Sequence, residues 1–241
     1  MIVRDTGASW QVVLQTDHAD LSGSVARAWA APGARHDSVQ LAAERHDDGW
    51  AVWERAPRLE PGTGKPVNFL DVDVGSHLAF YRACIAAVGE QDPYAGLLVS
   101  MHGAGIYRQR YGRDPALGLS RAAESQGLVE AFVAEQEAGY ERRMAEAGAT
   151  DEERWADYEL VQLFDRLSLH FCLRDPEAGE AAEFQGYRLE PLGPWRVAVT
   201  PYPFRDGQPR FSLVRRLVPK GTRAGVLAVA PERVAISIEP G

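Results

Sequence analysis

Histidine and aspartate residues that could bind metal ions recur from residue 18 to residue 165 of this 241-residue chain. Four of the six histidines take part, and one of these four is directly followed by an aspartate. Imidazole nitrogens and carboxylate oxygens are the ligands that borderline and hard divalent ions prefer. The pattern therefore predicts a metal centre, with enough ligands for two ions. In chain order the six residues are His18, His46, Asp47, His77, His102 and Asp165.

The adjacent residues His46 and Asp47 lie at the end of a predicted helix. On a helix, adjacent side chains point about 100° apart, which suits two ligands of one ion or of two neighbouring ions. The helix is predicted to stop at Asp48-Gly49, so both side chains lie near a helix terminus, where a cavity can form. Asp165 lies in an apolar helical segment, and an unpaired buried carboxylate is costly there unless a cation removes the cost.

Most of the elements that must position these residues are predicted as helices. Apolar residues at helical spacing define them, together with residues that start or stop helices. Thr150 and Glu153 have the spacing of a capping box, which predicts the start of the last helix. The predicted helices cover residues 16 to the stop at Pro32, 36–47, 76–88, 93–102, 120–147 and 152–172.

Strands are predicted at both ends of the chain. Residues 2–15 form a predicted hairpin, and β-branched or aromatic runs predict four C-terminal strands, at 195–200, 211–218, 226–229 and 234–238. The predicted fold is a single domain of residues 1–241 that is mainly α. A helical bundle core spans residues 16–172, and a small β region is formed by residues 187–241 together with the N-terminal hairpin.

Charge and hydropathy exclude several classes of partner. The formal net charge is −8 at pH 7, whereas nucleic-acid binding needs a cationic surface, so no nucleic-acid partner is expected. No apolar stretch approaches the roughly 18 residues that span a bilayer, and no basic region followed by an apolar run marks a signal peptide. Two cysteines, Cys84 and Cys172, do not make a disulfide framework. We expect a cytoplasmic protein with a small-molecule substrate and no membrane partner.

The order of the candidate ligands resembles the motif of the HD-domain superfamily, a group of helical metalloproteins. Its members have a histidine on one helix, a His-Asp pair at the end of another and a later aspartate. Members with two metals add two histidines before that aspartate. The resemblance covers about residues 16–172 and implies an HD-like helical bundle. Three segments, His46–Trp50, Ser100–Gly103 and Asp165–Leu169, also resemble a bacterial domain family of unknown function.

The resemblance implies a role for each candidate ligand. It assigns four residues to a first ion and two histidines to a second ion, with Asp47 as the bridge between the ions. Asp47 is thereby the expected catalytic residue, and the expected cofactor is a pair of divalent ions such as iron or manganese. The ligands of the first ion are His18, His46, Asp47 and Asp165, and those of the second are His77 and His102.

The position after the His-Asp-x-Gly turn differs from the superfamily pattern. Many members have a lysine there that contacts an anionic substrate, but this chain has Trp50. We expect Trp50 and Arg166 to contact the substrate. Three more arginines are candidates for cationic contacts: Arg108, Arg110 and Arg113.

The expected activity is metal-dependent hydrolysis of a small phosphorylated molecule, because hydrolysis is the commoner chemistry of the superfamily. Two alternatives stay open. If both ions are iron, the same ligands can activate oxygen, as in the superfamily's inositol and organophosphonate oxygenases, and the substrate is then a small polyol or phosphonate. The other alternative is a binding or structural domain of the same fold that has no catalytic activity.

Overall fold

The computed structural model describes residues 1–30, 33–113, 123–176, 179–205, 207–222 and 225–241. This part of the chain contains eight α-helices and several short 3-10 turns. None of the helices in these ranges has both the length and the hydropathy that crossing a membrane requires. The helices are α1 (Gln15–Ala28), α2 (His36–Arg45), α3 (Ala51–Glu54), α4 (Val74–Gln91), α5 (Pro93–Gly105), α6 (Gln126–Ala138), α7 (Tyr140–Ala147) and α8 (Asp151–Leu173).

Seven strands form one curled, mixed sheet that resembles half of a barrel. They are β1 (Ile2–Asp5), β2 (Ser9–Val13), β3 (Ala182–Phe184), β4 (Tyr187–Gly193), β5 (Arg196–Thr200), β6 (Arg210–Pro219) and β7 (Glu232–Pro240). Their order across the sheet is β1-β2-β6-β7-β5-β4-β3, and only β5 and β7 are parallel neighbours. The predicted N-terminal hairpin is present, and it joins the C-terminal strands where Trp10 lies opposite Val218.

The prediction of a mainly α, HD-like bundle with a small β region is wrong. Helices make up 53% of the structure, and the sheet is a sizeable second layer. The sequence pattern predicts neither β3 nor β4, because residues 182–193 contain no β-branched residue and β4 includes Pro191 and Gly193, which are uncommon in strands. These strands form because β4 pairs with β3 on one side and with β5 on the other.

Residues 226–229 do not form the strand that is predicted from their β-branched residues. Val226–Ala228 form a 3-10 turn instead. Val226 is fully buried in a small cluster with Met1, Val12 and Val218. The run therefore fills a gap in the core beside the N-terminal hairpin, and this packing overrides its strand propensity.

The predicted helices agree better with the structure. The capping box of Thr150 and Glu153 is confirmed, since each side chain accepts a hydrogen bond from the backbone of the other residue. The single helix predicted at 120–147 is two helices, α6 and α7, which meet at Gly139. Residues 120–122 and Pro32, the predicted stop of the first helix, lie outside the described residues.

One hydrophobic core connects the helices with the sheet. Helix α5 lies at its centre, because every residue from Tyr94 to Gly105 is buried and α2, α4, α6, α7 and α8 pack around it. A helix that is apolar on all sides is typically buried on all sides. Helix α1 packs against β6 and α8 against β1, and the same core includes Leu213, Ile236 and Ile238 of the sheet.

Replacing Leu213 of β6 by alanine tests whether helices and sheet unfold together. Leu213 is fully buried, and we expect Leu213→Ala to lower the free energy of unfolding by about 2–5 kcal/mol. Urea unfolding should show one transition that is the same by far-UV circular dichroism and by tryptophan fluorescence. Leu192→Ala in β4 is the control, because Leu192 is 44% exposed and its loss should cost about 0.5 kcal/mol or less. Separate transitions for the two signals would contradict a shared core.

Candidate metal centre

Four of the predicted ligands converge on one point in the core. Nε2 of His18 lies 3.0 Å from Nε2 of His46. It also lies 3.6 Å from Oδ2 of Asp47 and 3.4 Å from Oδ1 of Asp165. Nε2 of His46 lies 3.7 and 3.8 Å from the same two oxygens. Atoms that share one ion at about 2.0–2.2 Å must lie within about 4.4 Å of one another, and the five distances that involve a histidine nitrogen meet this condition.

Each of the four ligands comes from a different place in the chain. His18 lies on α1, His46 caps the end of α2, Asp47 follows it and Asp165 lies on α8. All four are at most 3% exposed. Their ligand atoms belong to two close groups that share His46: one of His18, His46 and Asp165, and one of His46, Asp47 and His102. The assignment of four of these residues to a first ion stays a prediction.

Hydrogen bonds at the far side of each ring fix the tautomers of the two histidines. Nδ1 of His46 lies 2.9 Å from the carbonyl oxygen of Ala43, which can only accept, so this nitrogen carries the proton. The Ser168 hydroxyl donates to the carbonyl oxygen of Asp165 and lies 2.6 Å from Nδ1 of His18. The hydroxyl therefore accepts from His18, whose Nδ1 also carries the proton. Both Nε2 atoms consequently present lone pairs to the centre.

These two lone pairs make the centre suited to a cation. The Nε2 atoms of His18 and His46 lie 3.0 Å apart, and they cannot hydrogen-bond to each other when both neutral rings carry their protons on Nδ1. Burial lowers the pKa of His18 to about 3, so this ring is unprotonated at neutral pH. Two nitrogen lone pairs and two carboxylate oxygens facing one point are the donor set of a divalent ion.

A tight turn after α2 positions Asp47. A Cβ atom on Gly49 would lie 2.0 Å from the carbonyl oxygen of Phe80, so only glycine allows the turn to approach α4 this closely. Oδ1 of Asp47 accepts from the Tyr81 hydroxyl at 3.2 Å, and Oδ2 accepts from Nε2 of Gln15 at 3.2 Å. Burial raises the pKa of Asp47 to about 6.

The two histidines predicted for a second ion lie in the same region but in different surroundings. The ring of His102 on α5 is 4.6 Å from that of His46, and its ligand nitrogen lies within 4.8 Å of those of His46 and Asp47. Burial lowers the pKa of His102 well below its usual value, and the charge of Arg110 adds to this effect. His77 on α4 hydrogen-bonds through Nδ1 to the Tyr107 hydroxyl. It belongs to neither of the two close groups of ligand atoms in the described residues.

A cavity of about 230 Å³ opens onto these side chains. Five of the six predicted ligands line it, all except His46, and they are buried, so they form its floor. Leu70 and Leu173 also line it and are 48% and 42% exposed, so they mark its mouth. Three further apolar side chains line the cavity, Phe69, Ile106 and Leu169, together with the polar Asn68.

Neither residue predicted to contact a substrate lines this cavity. Trp50 is buried behind His77, with ring centroids 5.1 Å apart, and also packs on Phe80. Arg166 follows Asp165 directly, but its guanidinium lies 5.3 Å from the ring of Phe184, beside the sheet. Contact of these two side chains with a substrate stays a prediction. Arg166 lies away from the cavity because one step along a helix from Asp165 turns a side chain by about 100°.

One of the three loop arginines does reach the centre. Arg110 is 4% exposed, and its Nη2 lies 3.2 Å from Oδ2 of Asp165. Arg108 and Arg113 instead form ion pairs at the surface, with Glu137 and Glu159. The sequence ranks none of the three above the others, since their loop has no regular pattern. The sequence also does not predict the roles of Ser168, Tyr81 and Gln15. Serine, tyrosine and glutamine are common residue types, and no motif marks these three as parts of a metal centre.

Comparison with known proteins identifies the family. Residues 1–220 match the family DUF3891, described as a protein of unknown function. Because the match covers more than half of the chain, the chain belongs to this family. The matched region contains all six candidate ligands and extends from β1 through β6. No curated protein and no solved structure matches the chain. Membership of the HD-domain superfamily stays a prediction.

Ser168→Ala tests the tautomer argument. Without the hydroxyl, Nδ1 of His18 loses its acceptor, and we expect the affinity for Mn²⁺ to fall by about 10–100-fold, as for other residues that orient a ligating histidine. Ser22→Ala is the matched control: Ser22 is also fully buried, but its hydroxyl has no hydrogen-bond partner in the described residues. Competition with a fluorescent chelator measures both affinities. Equal affinity in the Ser168→Ala and wild-type proteins would refute this role.

Proposed function

We propose that this protein is a metal-dependent hydrolase that acts on a small phosphorylated molecule. The main support is a buried pair of histidine nitrogens, from His18 and His46, that cannot satisfy each other. Carboxylate oxygens of Asp47 and Asp165 lie 3.6 and 3.4 Å from the nitrogen of His18. These four residues would hold a divalent ion such as manganese or iron. When bound, the ion supplies Lewis acidity to a phosphoryl oxygen and to the attacking water.

Asp47 is the residue that we assign to the chemistry. Its carboxylate lines the cavity, so it is placed to orient a water molecule and to accept its proton. Hydrogen bonds from Tyr81 and Gln15 fix the plane of the carboxylate, one on each oxygen. A general base that is held in one orientation needs no rearrangement before proton transfer.

The cavity supports a small substrate. Its volume of about 230 Å³ is below the roughly 300–1,000 Å³ of pockets for drug-sized ligands. The polar floor suits a phosphoryl group, while Ile106, Leu169 and Phe69 suit an apolar or weakly polar remainder. These apolar walls also limit the access of bulk water, which strengthens electrostatic interactions at the floor. The oxygenase and the non-catalytic domain stay alternatives that rest on the resemblance alone.

Neighbouring aspartates provide a test of this proposal. Wild-type protein loaded with Mn²⁺ should hydrolyse small phosphomonoesters, and Asp47→Ala should lower kcat/KM by at least about 100-fold because it removes a ligand and the proposed base. Asp48→Ala is the matched control, since Asp48 pairs with Arg45 at 3.0 Å on the outside of the turn and should keep near wild-type activity. A coupled assay of phosphate release measures the activity of the wild-type protein and of both variants.

Two results would contradict the proposal. One is wild-type protein that binds divalent ions but releases no phosphate from a panel of small phosphomonoesters. The other is an Asp47→Ala variant with wild-type activity. Consumption of oxygen by iron-loaded protein in the presence of a small polyol or phosphonate would favour the oxygenase instead.

A further inference from the structure

We infer that Arg110 is the second cation of this centre: its guanidinium binds the anionic group of the substrate beside a single metal ion and takes the place of a second ion. The inference rests on the proposed function, because it concerns the substrate and the ion count of the same site. It differs from the two-ion arrangement that the sequence resemblance implies.

Contacts of the guanidinium show that it stands between the first four ligands and the remaining histidines. Nη2 lies 3.2 Å from Oδ2 of Asp165, the carboxylate whose other oxygen faces His18 and His46. Nη1 lies 3.2 Å from Nδ1 of His102. Asp165 is therefore shared between the ion site and the guanidinium, much as a bridging carboxylate is shared between two ions.

His102 is not available as a ligand while Arg110 is in place. Guanidinium and amide NH2 groups only donate, and both Nη1 of Arg110 and Nε2 of Gln162 approach Nδ1 of His102, at 3.2 and 3.4 Å. Nδ1 is thus the acceptor, and the neutral ring carries its proton on Nε2. Neither nitrogen then offers a lone pair to a metal ion. An ion at this place would also be repelled by the buried guanidinium, which stays charged in proteins.

The backbone around Arg110 is held in an uncommon conformation that turns this side chain inwards. Three successive non-glycine residues have positive φ angles: 51° at Gln109, 53° at Arg110 and 53° at Tyr111. Such left-handed residues are rare, and they persist where surrounding contacts hold them, often at functional sites. Tyr111 provides such contacts, because its hydroxyl lies 3.0 Å from that of Tyr140 and its ring packs on Tyr158.

The guanidinium of Arg110 still has an N–H group that can donate a hydrogen bond to a ligand. Nη1 donates to Oε1 of Gln162, but Nε is buried and has no hydrogen-bond partner in the described residues. Arg110 lines the cavity beside Asp47 and Asp165, so a group in the cavity can reach it. A planar guanidinium with free N–H groups is suited to the oxygens of a phosphate monoester, which it can contact in pairs. The chemical class of substrate is therefore a small phosphomonoester whose dianion is shared between one ion and Arg110.

The number of bound ions tests the first half of the inference. Metal-free full-length protein is titrated with Mn²⁺ by isothermal titration calorimetry, and the metal content is measured after gel filtration. One equivalent per chain is expected. Two equivalents in the wild-type protein would overturn the inference and leave the proposed hydrolase intact. No binding at all would overturn both the inference and the proposed function.

Binding of inorganic phosphate to the Mn²⁺-loaded protein tests the second half. Arg110→Ala should weaken phosphate binding by at least about tenfold, the effect of losing a hydrogen bond to a charged group, while one equivalent of Mn²⁺ still binds. Arg108→Ala is the matched control from the same loop and should stay within about twofold of wild type, because Arg108 pairs with Glu137 at the surface.

A conservative variant, Arg110→Lys, separates loss of phosphate binding from misfolding of the Arg110→Ala protein. Arg110→Lys keeps the charge but cannot contact Asp165 and a phosphate with two parallel N–H groups, so phosphate binding should weaken by at least about threefold. Phosphate affinity within about twofold of wild type in a folded Arg110→Ala protein, or unchanged affinity in Arg110→Lys, would overturn the assignment of Arg110 as the anion ligand.

Discussion

The close approach of two histidine nitrogens is the constraint on which the centre depends. Nε2 of His18 and Nε2 of His46 face each other at 3.0 Å without a proton to share, and both side chains are buried. Unsatisfied polar atoms in such surroundings cost free energy, and a bound cation turns the cost into attraction. The carbonyl of Ala43 and the hydroxyl of Ser168 maintain this arrangement, since they hold both protons on the opposite nitrogens.

Close packing of helices makes the approach possible. A Cβ atom on Gly23 of α1 would lie 2.4 Å from Cβ of Glu44 on α2, and one on Gly49 would lie 2.0 Å from the carbonyl oxygen of Phe80 on α4. These two glycines let α1 and α4 approach the end of α2. The sheet contacts helix α8 near its end. There, the side chain of Gln11 of β2 donates a hydrogen bond to the carbonyl oxygen of Cys172 at 3.2 Å. The ligands on α1 and α8 are thus spaced by the sheet as well as by the helices.

The charge balance of the centre links the fold to the proposed chemistry. Two carboxylates, Asp47 and Asp165, are buried with one permanent cation, Arg110, within 3.2 Å of the second. One divalent ion together with this guanidinium would give the site a net positive charge, which would suit a dianionic substrate in the cavity. A second divalent ion would add charge at the place where the guanidinium already lies.

The sequence by itself determined the types and the order of the candidate ligands, because few residue types bind divalent ions. The order of His18, His46, Asp47 and Asp165 resembles a known motif. It also determined local features such as the capping box of α8, whose partners are three residues apart. Only the tertiary structure decided the extent of the sheet, because its pairings join residues about 200 positions apart, such as Trp10 and Val218. It also decided which arginine reaches the centre. Neither strand pairing over such distances nor a left-handed loop leaves a periodic pattern in the sequence, since both depend on contacts made after the chain has folded.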